Sequence, residues 1–68
     1  MLLHITPMER TSLQWLADGR DGRHIAGELG ISEHEVEAQL ASLFARMGAR
    51  TVTEAVAAAS TRGLLRSG

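Results

Sequence analysis

Apolar residues recur along the chain at helical spacing in four stretches, and no segment alternates apolar with polar over the length of a strand. In the first stretch Glu9, Leu13 and Leu16 fall on one line with Trp15 and Ala17 beside it, which predicts a helix from about Pro7 to Asp18 stopped by Gly19. The second is short, opening at Asp21 as N-cap, burying Ile25, Ala26 and Leu29, and ending at Gly30. The third, about Glu33 to Met47, carries Val36, Leu40, Leu43, Phe44 and Met47 at spacings of three and four and closes at Gly48. The fourth follows Thr51, with Val52, Ala55, Val56 and Ala59 on one face and Gly63 at its end.

Three of the four stretches share a start signal. Thr6-Pro7-Met8-Glu9, Ser32-Glu33-His34-Glu35 and Thr51-Val52-Thr53-Glu54 each read as a capping box. In such a box the hydroxyl accepts from the backbone N–H three residues on, and the glutamate reaches back to the cap's own N–H. Pro7 sits at the first helical position, where a missing N–H costs nothing. These signals predict an all-α fold of four helices. The short second helix, the turn Leu29-Gly30-Ile31-Ser32 and the longer third helix together form a helix-turn-helix unit.

Composition narrows the function. The 68 residues make one domain, 1-68, and a domain this small buries only about 60% of the surface its unfolded chain exposes. There is no cysteine, and His4, His24 and His34 are irregularly spaced, so neither a disulfide nor a zinc framework is expected to support it. His24 and Glu28 stand four apart on the second helix, a spacing read here as a surface contact rather than half of a metal site. No apolar run approaches the roughly 20 residues of a membrane span, which predicts a cytoplasmic protein without membrane contact. An enzyme is not expected, because the chain offers no nucleophile-base pair and is too short to enclose a pocket; no cofactor is expected either. With one Trp and one Phe there is no stacking platform for single-stranded nucleic acid.

Several segments together resemble the LuxR/GerE-type helix-turn-helix domain that ends quorum-sensing regulators and many response regulators. They are Ile5 to Glu9, Leu13 to Gly19, Ile25-Ala26 with Leu29 to Ser32, Leu40 to Ala49, and Thr53 to Val56. The resemblance runs from Ile5 to Leu65. It implies a bacterial transcription regulator domain that binds duplex DNA as a homodimer, with helix 3 in the major groove, helix 2 across it near the backbone, and helix 4 as the dimer contact. For helix 4 this points to Val52, Ala55, Val56 and Ala59, where small alanines permit close approach of a second helix. Trp15 is similar to a tryptophan frequent in the quorum-sensing branch, although its stripe places it where a core alone explains it.

The charges depart from that pattern. Seven arginines against eight acids give a net charge of −1, whereas nucleic-acid-binding domains are usually basic. Where the family usually has a small hydroxyl, a basic residue and often a histidine, this chain has Glu35, Glu37 and Gln39. Three glutamates against Arg46 leave helix 3 with a formal charge of −2, His34 taken as neutral. Glu33 and Glu35 suit a helix start. Glu37 has no such structural reason, and at a DNA surface it repels phosphates and can accept only from a cytosine amine.

The residues expected at the DNA surface are therefore His34, Glu35, Glu37, Gln39 and Ser42 on helix 3, with Arg23, Arg46 and Arg50 as phosphate contacts. Gln39 is the candidate for direct readout, since its amide can pair with adenine N6 and N7. Met8 stands where relatives commonly carry arginine and is expected to pack beside Trp15. An alternative function stays open, a protein-interaction or anti-regulator module whose acidic helix 3 docks on a basic partner. RNA polymerase or a related regulator are further partners on either reading.

Overall fold

A computed structural model describes residues 4–66 and contains four helices, α1 (Pro7–Ala17), α2 (Gly22–Leu29), α3 (Glu33–Met47) and α4 (Val52–Thr61), with no strand among the described residues. Every helix starts on a side-chain cap. Thr6 and Glu9 form the full reciprocal box, with the Glu9 N–H donating to Thr6 Oγ1 over 3.1 Å and the Thr6 N–H donating to Glu9 Oε1 over 3.0 Å. Asp21 accepts from the His24 N–H at 3.0 Å. The other two expected boxes are half-formed. Ser32 accepts from the Glu35 N–H, yet the Glu35 carboxylate faces the Ser32 hydroxyl at 3.5 Å instead of its amide. Thr51 accepts from the Glu54 N–H, and the Glu54 carboxylate accepts from the Arg50 N–H at 2.7 Å. Thr51 is more extended than Thr6, with φ −134° against −72°, and presents the preceding amide to the carboxylate in place of its own.

Between α2 and α3 the chain reverses at Gly30, whose φ of +68° lies in the left-handed region that favours a residue without Cβ. The Gly30 and Ile31 N–H groups both return to the Ala26 carbonyl, closing the end of α2. Ile31 then folds inward beside Leu29, so the turn is pinned by a hydrophobic contact as well as by hydrogen bonds.

Two apolar clusters share α3 as their spine. Leu13, Leu43, Met47, Ala55 and Ala59 form one, joining α1, α3 and α4. Leu16, Ile25, Ala26 and Val36 form the other, joining α1, α2 and α3. Leu40 and Phe44 of α3 pack against both, and α1 gives Leu13 to one and Leu16 to the other, so α1 and α3 together hold the helix-turn-helix and α4 in one body. Trp15 is half-buried against the second cluster, its ring edge-on to His24 with centroids 5.7 Å apart. Ser12 is the buried polar residue, 5% exposed, and its hydroxyl donates to the Met8 carbonyl one turn back.

After α4 the chain turns at Gly63 and folds back on α1. Arg10 Nε donates to the Leu64 carbonyl at 2.9 Å, the Arg66 N–H donates to Gln14 Oε1 at 2.7 Å, and Leu64 and Leu65 pack on the first cluster. This segment leaves the outward side of α3 uncovered.

Two expectations about side-chain placement are corrected. Ala55 and Ala59, expected at a dimer contact, are fully buried in the chain's own core, because their small side chains let α4 lie close over Leu13 and Leu43. Met8, expected to pack, is 52% exposed: it borders a small apolar cleft with Ile25, Val36, Leu40 and Leu43 on one side and the open hollow of Ala38, Gln39 and Ser42 on the other.

Candidate nucleic-acid interface

With 100° between successive residues, α3 puts Val36, Leu43 and Met47 inward and leaves the opposite side to solvent. His34, Ala38, Ala41 and Ala45 run down the middle of that exposed side, a low ridge of small groups below one imidazole. Glu35, Gln39, Ser42 and Arg46 form the edge toward α1, and Glu33 and Glu37 the edge toward α2; all six are exposed. The expected contact residues of α3 are thus on one accessible surface, but its two edges differ in charge.

On the α1 edge Arg46 is already occupied. Its two terminal nitrogens meet the two carboxylate oxygens of Glu9, its Nη1 also donates to the His4 carbonyl at 3.0 Å, and its Nε donates to the Ser42 carbonyl at 3.3 Å. The hydrogen bond from Arg46 is the main cause that holds the Glu9 carboxyl below its ordinary value; partial burial opposes this, and the Thr6 N–H adds to it. The same pair raises Arg46 above an already high value. The expected phosphate contact is in consequence a tie between α3 and the cap of α1, and its charge is neutralised within the chain. Around it lies a shallow hollow lined by Thr6, Met8, Ala38, Gln39 and Ser42, which carries no further charge beyond that pair.

The α2 edge is different. Arg20 and Arg23 line one hollow with Asp21, Glu33 and Glu37, beside the apolar Leu16, Leu40 and Val52. Arg23 was expected there; Arg20 was not, because it lies in the α1–α2 turn, outside any helical stripe. The signal available was only its place beside the Asp21 cap. Glu37, unexplained as an isolated carboxylate, shares this hollow with two arginines. Among the described residues the ion pairs within 4.0 Å are Arg46–Glu9 and His24–Glu28, so neither Arg20 nor Arg23 is closed off by a direct pair.

Arg50 is exposed in the connection between α3 and α4, with its backbone held by Glu54. On α4, Val52 is 44% exposed and Val56 half-buried, while Thr53, Ala57 and Ser60 make the outward side. His24 Nε2 lies 3.9 Å from Glu28 Oε1 as a surface i,i+4 contact, and no group of three or more metal-ligating residues exists among the described residues. None of the described helices is long and apolar enough to cross a membrane.

Comparison with known proteins places the chain in a family. The family described as bacterial regulatory proteins, luxR family, matches residues 3–59. The chain is similar to the transcriptional regulatory protein YdfI of Bacillus subtilis (strain 168), with 38% identity over 61 residues that cover 90% of this chain and 29% of that protein. The chain therefore spans less than a third of the length of that relative. No solved structure matches it.

Proposed function

The chain belongs to the luxR family of bacterial regulatory proteins, and from that membership we propose that it is a transcription regulator domain that binds duplex DNA as a homodimer through α3. The observation that carries this reading is the uncovered side of α3. An α-helix about 10–12 Å across fits a major groove about 12 Å wide, and the alanine ridge of Ala38, Ala41 and Ala45 lets the helix axis sit deep in it. Gln39 then reaches a base edge from one side, and Ser42 and His34 lie within the same exposed strip. Arg23 and Arg50 supply phosphate contacts. Arg46 does not, since Glu9 holds it.

So few cations imply a weak monomer. Binding two half-sites multiplies modest affinities, and a two-fold dimer does this when its reading helices are one DNA turn apart. With Ala55 and Ala59 inside the core, the dimer contact falls to the other sides of α4, namely Val52 and Val56 with Ala57 and Ser60.

A mobility-shift titration against a pool of duplexes at two salt concentrations tests the reading. Retarded complexes that weaken as salt rises support it; absence of complex even at low salt overturns it. The second reading, a basic protein partner docked on α3, is favoured by the Arg46–Glu9 pair, which leaves the three exposed glutamates of α3 without a free cation on their own helix.

A further inference from the structure

We propose that Arg20 is a phosphate-anchoring residue, acting with Arg23 on the α2 edge of α3, and that this edge carries the larger share of the domain's grip on the DNA backbone. The inference rests on the DNA-binding reading and assigns to it a residue that the helical stripes do not reveal.

A helix lying in the major groove has a sugar-phosphate strand along each of its edges, so the cations beside those edges decide where the backbone is held. On the α1 edge the one cation, Arg46, is bound to Glu9 and its side chain bridges further to His4, which leaves Met8 and Gln39 as the neighbouring groups. On the α2 edge two arginines, Arg20 and Arg23, line the same hollow as Glu33 and Glu37 of α3. Arg20 is exposed and its backbone is fixed: Gly19 turns the chain at φ +86°, and the Arg20 N–H donates to the Trp15 carbonyl at 2.9 Å. Its position beside α3 is therefore a property of the turn and does not depend on a side-chain contact that DNA would have to break.

The carboxylates in that hollow set the strength of the site. Asp21 is engaged as the cap of α2, while Glu33 and Glu37 are exposed and without an ion pair within 4.0 Å. A phosphate entering the hollow competes with them for Arg20 and Arg23. Two arginines among three carboxylates predict a weak anion site with a small salt slope for each subunit, in keeping with a domain that needs two copies to hold DNA.

The test is the slope of log affinity against log salt for a random-sequence duplex, measured by mobility shift for the parent chain and for Arg20→Ala, Arg20→Lys and Arg62→Ala. Arg62 is an exposed arginine at the far end of α4 and serves as the control. Loss of one phosphate contact lowers the slope by about 0.9 for each subunit bound. The proposal expects that loss for Arg20→Ala, a slope close to the parent for Arg20→Lys, and no change for Arg62→Ala. A parent-like slope for Arg20→Ala, or an equal loss for Arg62→Ala, overturns the assignment while leaving the DNA-binding reading in place. Failure of the parent to bind at any salt overturns both.

Discussion

Arg46 in the last turn of α3 grips Glu9 in the first turn of α1 through both nitrogens and both oxygens of the pair, while Glu9 also accepts from the Thr6 N–H. One carboxylate thus completes a helix cap and fastens the reading helix to the start of the domain. A bidentate guanidinium–carboxylate contact fixes orientation as well as distance. The pair is half-shielded, with 19% of the Glu9 side chain and 39% of the Arg46 side chain exposed, so geometry rather than burial sets it apart from an ordinary surface pair.

Replacing Arg46 separates structure from DNA contact. Arg46→Ala is expected to lower the melting temperature of the chain and to leave the salt slope of DNA binding unchanged. Thermal unfolding followed by circular dichroism reads the first effect, and the mobility-shift titration the second. A stable variant with a reduced salt slope shows that Arg46 leaves Glu9 to hold phosphate.

The pair also gives stability a pH dependence. Because Glu9 titrates below its ordinary value in the folded chain, the unfolded chain takes up the proton first as pH falls. The contribution is fully present above about pH 4.3, the usual glutamate value, and is lost as pH drops through the lowered folded value. Urea unfolding across that range is expected to show a shallower acid loss for Glu9→Gln than for the parent. Equal acid sensitivity in the two proteins contradicts the assigned role of the pair.

The inward face of α4 can be tested by overpacking. Ala59→Leu pushes a larger side chain into the cluster around Leu13 and Leu43 and is expected to cost about 1–3 kcal/mol, whereas Ala57→Leu on the outward side is expected to be tolerated. Against a total of about 3–10 kcal/mol for a domain of this length, the first change removes a large share. Denaturant midpoints of the two variants decide the matter; equal midpoints place Ala59 outside the core.

The turn of the helix-turn-helix unit carries its own prediction. Gly30→Ala forces a Cβ into a left-handed conformation and is expected to cost about 1–2 kcal/mol, although nothing lies within 4 Å of the added atom. Denaturant unfolding measures this, and an unchanged midpoint means that the turn relaxes to another conformation.

Helix positions, caps and the turn were legible from the chain because each rests on local chemistry. Pro7 and Thr6 open α1, Asp21 opens α2, Gly30 and Gly48 close α2 and α3, and the stripe of Val36, Leu43 and Met47 fixes which side of α3 is buried. What stayed hidden depends on which elements meet. Glu9 and Arg46 are 37 residues apart, and no local pattern pairs them. The stripe of Val52, Ala55, Val56 and Ala59 marks one face of α4 but not what covers it, and only packing against Leu13 and Leu43 shows that Ala55 and Ala59 face the chain's own core. Arg20 sits in a turn, where periodicity has nothing to say, and it gains meaning only when α3 is folded beside it.

The central claim is that the uncovered side of α3 meets duplex DNA, and Glu37 at its edge is the place to test it. In a mobility-shift titration of the Glu37→Lys variant beside the parent chain, the claim predicts tighter binding and a steeper salt dependence, because a phosphate-repelling carboxylate is exchanged for a cation. Unchanged or weaker DNA binding by a folded Glu37→Lys variant contradicts it and points to a basic protein partner on the same helix.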